Sequence, residues 1–118
     1  MATVVDRATA YAPPPRLCIQ IVYTGDLKFE WDPRKRALNL RKHGIAFEDA
    51  VKVFSGSRLE TPDDAQGDGE GRLRAFGEEN SRVLVVVFAW RGETRRIISA
   101  RKATRFEREE YYRALYSQ

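Results

Sequence analysis

Few side chains in this sequence can do chemistry, and two of the relevant types occur only once. One histidine, His43, and one cysteine, Cys18, cannot make an internal disulfide, a four-ligand zinc site or a pair of proton-carrying imidazoles. No metal and no cofactor is expected on that ground. Chemistry is left to carboxylates, guanidiniums, amines and phenols. Glu70 and Arg72 stand two apart in a stretch punctuated by Gly67, Gly69 and Gly71, and Arg95, Arg101 and Lys102 share one run. Lys42 precedes His43 in a basic segment, and Tyr111 precedes Tyr112 near the C-terminus. Such groups suit a charged, phosphate-like ligand: guanidiniums present fixed planar N–H forks, and a carboxylate can take up a proton.

The elements that must position these residues follow from pattern. Leu27 to Trp31 reads as a strand. Asp32 and Pro33 then supply an N-cap carboxylate and a proline at the first helical position, and Gly44 supplies the stop, framing a helix of about three turns. Phe47, Ala50, Val51 and Phe54 fall at i, i+3, i+4 and i+7, one apolar stripe of a second helix ending at Gly56. Ala46 stands where a capping hydroxyl is expected, so only Glu48 and Asp49 favour that start. Thr61 to Gly71 mixes Pro62 and glycines with Asp63, Asp64, Asp68 and Glu70, and no regular element should persist through it.

Leu73 to Phe76 reads as a strand, Gly77 to Ser81 as a turn, and Val83 to Trp90 as a strand buried on both faces. Arg91 to Thr94 turns the chain into a strand from Arg95 to Lys102. Strict alternation there puts Arg95, Ile97, Ser99 and Arg101 on one face and Arg96, Ile98, Ala100 and Lys102 on the other. Trp90, near a strand end, reads either as a base-stacking platform or as packing against the last helix. Thr104 and Glu107 form a capping box opening that helix, on which Tyr111 and Tyr112 are about 100° apart and cannot both face the core. The order indicates an α+β fold: two N-terminal helices on an antiparallel sheet of about four strands, with a C-terminal helix.

Over 118 residues the net charge is +4, unevenly placed. Residues 27–44 hold six basic and two acidic groups, residues 45–90 five and nine, and residues 91–118 eight and four. Two basic segments therefore flank an acidic one, an arrangement that attracts a polyanion if the basic parts share a surface. Residues 1–26 carry balanced charges and Pro13-Pro14-Pro15; a poorly ordered extension is expected there, with a strand over Leu17 to Tyr23 as the other reading, and residues 27–118 read as a single domain. Without a membrane-length apolar run or a signal-peptide layout, no membrane association and a cytoplasmic location are expected.

Several collinear motifs carry a resemblance. Phe29-Glu30-Trp31-Asp32-Pro33, Asn39 with Lys42-His43-Gly44, Phe47-Glu48-Asp49-Ala50, Val53-Phe54, Gly69-Glu70-Gly71-Arg72 and Arg96-Ile97-Ile98-Ser99-Ala100-Arg101-Lys102-Ala103, with Glu107 and Tyr111, resemble the BrnT toxins of type II toxin–antitoxin pairs. The resemblance runs from Leu27 to the C-terminus. It implies a RelE-like ribonuclease fold, an RNA substrate, and a ribbon-helix-helix antitoxin, BrnA, joined in a heterotetramer on operator DNA. Where many members carry a His-Ser pair and then Glu-Glu-Arg, this chain has Gln66-Gly67 and Glu70-Gly71-Arg72, although Gly69 to Arg72 fits a Gly-Glu-X-Arg variant.

With RNA as the implied substrate, Glu70 is the candidate general base, Arg72 and Arg101 the phosphate clamps, and Tyr111 a stacking platform or proton donor. Lys42, His43, Arg95 and Lys102 are the candidate RNA contacts, His43 also suiting a helix C-terminus through the dipole. The departures at Gln66 and Gly71 leave a second reading, a non-catalytic module that binds nucleic acid or antitoxin.

Overall fold

The hairpin of β5 (Arg82–Arg91) and β6 (Thr94–Lys102) is the spine of the molecule, because β5 is apolar at almost every position. The computed structural model describes residues 20–24, 27–63 and 71–116. Around the hairpin lie β1 (Gln20–Thr24), β2 (Leu27–Trp31), α1 (Pro33–His43), α2 (Phe47–Ala50) continued by a 3₁₀ turn (Val51–Ser55), β3 (Arg58–Pro62), β4 (Arg72–Glu79) and α3 (Arg105–Tyr116). The strands form one six-stranded sheet in the order β1-β2-β6-β5-β4-β3.

This is α+β as expected, but the sheet is larger and mixed: β2 runs parallel to β6, and every other neighbour is antiparallel. The two further strands are edges: β3 is not read from the sequence, while β1 overlaps the strand that is the other reading for Leu17 to Tyr23. β3 runs to Pro62, two residues into the stretch expected to be irregular, where proline is tolerated at a strand end. β1 pairs with β2, so Gln20 to Thr24 belong to the sheet and not to an extension. The expected disorder of residues 1–19 and the irregular loop over 64–70 fall outside the described residues.

Both faces of β5 are covered, as its unbroken apolar run required. Leu84, Val86 and Phe88 point into a core built with Phe29, Trp31, Ile45, Phe47 and Phe54. Val83 and Val85 point the other way, into a smaller core with Phe76 and Tyr111 beneath α3. Trp31 is fully buried and meets Phe47 edge-on at 5.8 Å, which anchors β2 to the sheet.

Helix α1 begins and ends where its caps say. Asp32 accepts from the Arg34 N–H at 2.9 Å, and Gly44 takes the left-handed conformation at φ 74° while its N–H reaches the Leu40 carbonyl at 2.8 Å. Asn39 is its one buried residue. β2 pairs with β6 only at Phe29 and Glu30, and beyond that point the Asn39 carboxamide takes the place of a neighbouring strand. It donates to the Ala100 carbonyl at 2.8 Å and accepts from the Ala100 N–H at 3.1 Å, while donating to the Ile45 carbonyl at 2.9 Å.

Three local readings are corrected. The second helix makes one α-turn and then tightens into 3₁₀, consistent with its weak start at Ala46. Gly77 lies inside β4 and not in a turn: a Cβ there would stand 2.8 Å from Val53 Cβ, so its smallness lets the 3₁₀ segment press on the strand. The turn is Asn80-Ser81, both at positive φ (55° and 69°), the geometry of a two-residue hairpin. Finally, β6 carries a bulge. Ser99 pairs with Val87 and Ile97 with Phe88, leaving Ile98 as the extra residue and reversing the alternation on either side of it.

Candidate functional site

The bulge decides which basic side chains meet. Ile97 and Ala100 both join the larger core, so Arg95 shares that face, whereas Arg96, Ser99 and Arg101 turn to the face that carries α3. Register extends this face across the sheet. Arg72, Ala89 and Arg96 form one row, Arg74, Val87 and Ser99 the next, and Leu59, Phe76, Val85 and Arg101 the third. With strands about 4.8 Å apart, Arg72 and Arg96 have backbones roughly 10 Å apart. Four half-buried guanidiniums, Arg72, Arg74, Arg96 and Arg101, therefore share one sheet face.

Their partners differ. Arg96 Nη1 donates at 2.8 Å to Glu30, whose side chain is only 2% exposed. Arg101 grips Glu107 with both terminal nitrogens, at 2.7 and 2.8 Å, and gives a third N–H to the Lys102 carbonyl at 3.2 Å. Glu107 also accepts from the Thr104 N–H at 2.9 Å while Thr104 Oγ1 accepts from the Glu107 N–H at 3.1 Å, which realises the capping box. The Arg101 hydrogen bond, helped by Thr104, holds the Glu107 carboxyl down to about 2, and the same bond raises Arg101. Arg74 has its Nε 4.0 Å from Asp63.

Other expected site residues stand elsewhere. Arg95, expected to contact RNA, is 6% exposed and enclosed by Trp90, Phe54, Phe88 and Phe29, at 4.4, 4.7, 5.7 and 6.0 Å from the ring centroids. Burial, reinforced by the Arg58 charge, lowers its pKa to about 10. Trp90 thus packs in this cage, not against α3. Tyr111, expected to stack on or protonate a substrate, is 2% exposed, with its hydroxyl donating to the Ser57 carbonyl at 3.1 Å. Tyr112, half-buried, donates to Glu78, which pushes its pKa up to about 12.

Lys42 and His43 close α1 and, with Lys35 and Leu38, line a cleft of about 480 Å³ between α1 and β6 that reaches the arginine face at Ser99. Lys102 is exposed at the end of β6. Glu70 lies outside the described residues, two positions before Arg72. Sequence reasoning missed Arg74 and Arg96. Arg72-Leu73-Arg74 is a period-two signal that reveals the first; the second depends on the bulge, for which the sequence carries no mark.

Chemically, the face can hold successive phosphates and spread the charge of a pentacoordinate transition state over planar donors. Among the described residues, no group of three or more His, Cys, Asp or Glu side chains is placed to hold a metal ion, and no helix is long and apolar enough to cross a membrane.

Comparison with known proteins points to one family. The model described as ribonuclease toxin, BrnT, of type II toxin-antitoxin system matches residues 31–107. The 1.1 Å crystal structure of the Brucella abortus ribonuclease toxin, BrnT, is similar at 35% identity with a TM-score of 0.53, the match covering 64% of this chain and 94% of that one. No functionally curated protein matches.

Proposed function

This chain belongs to the BrnT family of ribonuclease toxins of type II toxin–antitoxin systems, and from that premise we propose that it is itself a cytoplasmic, metal-independent endoribonuclease whose RNA lies across the arginine face. The observation that carries the reading is the convergence of Arg72, Arg74, Arg96 and Arg101 on one face of the sheet. Cleavage through the 2′-OH requires a base to take its proton, donors for the charge on phosphorus, and a proton for the leaving 5′ oxygen. Arg72 and Arg101 act as the charge-spreading donors and Glu70 as the base, while Lys42, His43 and Lys102 contact the RNA backbone beyond the site. Tyr111 has no part in this assignment, since its hydroxyl is used inside the smaller core.

Membership implies an antitoxin as well as an RNA target. The partner of this reading is a BrnA-like ribbon-helix-helix protein that covers the arginine face and assembles with the toxin as a heterotetramer on operator DNA. Expression of the chain alone should arrest growth, and Glu70→Gln or Arg101→Ala should relieve the arrest; co-expression of the antitoxin should do the same. Purified protein should degrade RNA in the presence of a chelator. Activity that survives both substitutions removes these residues from the mechanism.

A second reading, a binding module without catalysis, is favoured by one observation. Arg101 has its fork filled by Glu107, a carboxylate too acidic to serve as a base at neutral pH. RNA binding with neither cleavage nor toxicity would select it.

A further inference from the structure

Between α3 and the β3–β4 edge of the same face lies a pocket of about 330 Å³ that none of the assigned roles uses. Its volume is at the small end of the range for small-molecule sites, roughly 300–1,000 Å³, and fits one planar ring system. Leu59 and Phe76 line it from the sheet, and Phe106 lines it from α3 with 69% of its surface exposed. The polar groups divide by kind. On the sheet side, Arg74 lies with its guanidinium carbon 5.6 Å from the Phe76 ring centroid and its buried Nε ion-paired to Asp63 at 4.0 Å, and Thr61 Oγ1 is buried without a hydrogen-bond partner. On the helix side stand Glu107, already held by Arg101, and Glu110, an acceptor one turn beyond Phe106 whose present partner is Arg113 on the exposed surface at 2.5 Å.

We propose that this pocket is a nucleobase subsite that selects guanine, a specificity determinant that rests on the RNA-binding reading above. A base held between the Phe106 and Phe76 rings gains sequence-tolerant stacking. Discrimination then comes from the edges. Guanine alone presents O6 and N7 as adjacent acceptors, the pair an arginine reads, together with N1–H and N2–H₂ donors suited to a carboxylate. Arg74 and Thr61 meet the acceptors, and Glu110 meets the donors. The Thr61 hydroxyl, which has no hydrogen-bond partner within the protein, then gains one, as buried polar groups normally do.

The full-length protein should be titrated with 5′-GMP, AMP, CMP and UMP, following binding by calorimetry and by amide shifts. GMP should bind at least tenfold more tightly than the other three, with shifts centred on Thr61, Phe106 and Glu110. Glu110→Gln and Phe106→Ala, at sites open to solvent, should each weaken GMP by threefold or more while leaving the melting temperature unchanged. Equal binding of the four nucleotides, shifts confined to other surfaces, or undiminished GMP binding in both variants would overturn the proposal. Guanine selectivity without RNA cleavage would keep the subsite and discard the ribonuclease. Cleavage by a protein that binds the four nucleotides alike would do the reverse.

Discussion

Arg95 is surrounded by four aromatic rings, and a guanidinium kept from water in such a cage cannot reach a phosphate without breaking the core around it. Its neighbour Arg96 points to the opposite face and is half-buried. Replacing Arg95 with Met should therefore leave RNA affinity and its salt dependence unchanged, with a melting temperature equal to or above that of the parent, because buried charges are often replaced by apolar groups at no loss. Arg96→Gln should weaken RNA binding and reduce the slope of log K against log salt by about 0.7, the value for one phosphate contact on a single strand. Salt titrations of the two variants check this pair, and a lowered slope for Arg95→Met would contradict it. Tyr111 belongs with Arg95. Tyr111→Phe removes one hydrogen bond to Ser57 and should cost about 0.5–1.5 kcal/mol in denaturant unfolding, with no change in cleavage rate.

Asn39 shows how one helix is tied to the sheet by a single side chain. Its carboxamide makes three buried hydrogen bonds, and Asn39→Leu leaves both polar groups of Ala100 unpaired, so a loss of roughly 2–4 kcal/mol is expected from chemical denaturation. Glu107 links α3 to β6 in the same way and adds a pH dependence. Its carboxyl ordinarily titrates at 4.5 and in the folded protein near 2, so the stabilisation is fully present above about pH 4.5 and is lost as pH falls toward 2. With Arg101 half-open to solvent, the contribution is on the order of 1–3 kcal/mol. Glu107→Gln should lower stability at pH 7 by that amount and flatten the acid limb of the stability curve between those values.

These elements also show what was legible beforehand. Asp32, Pro33 and Gly44 announce α1, Thr104 and Glu107 announce α3, and the apolar run of β5 announces burial on two faces, since each signal is local. The bulge at Ile98, the parallel pairing of β2 with β6 and the packing of Val53 on Gly77 depend on partners distant in the chain, and local pattern is silent about them. For that reason the alternation read for β6 put Arg95 beside Arg101, when the partners of Arg101 on that face are Arg72, Arg74 and Arg96.

For the molecule as a whole, the two basic segments reach the arginine face by different routes. The β5–β6 hairpin supplies Arg96 and Arg101 directly, while α1 brings Lys42 and His43 to a cleft that meets the face at Ser99. The central segment is acidic overall, yet it contributes Arg72 and Arg74, so net charge by segment understates the potential of the face. Metal-free cleavage of RNA is what this face is expected to perform. It is tested most directly by single-turnover cleavage of a defined RNA in excess chelator, comparing the parent protein with Arg72→Ala and Arg101→Ala at matched stability. The parent should cleave the RNA and each variant should lose about 100-fold or more in rate, the scale of removing one transition-state donor. Parent protein that binds the RNA and leaves it intact, or variants that cut at the parental rate, would contradict this expectation.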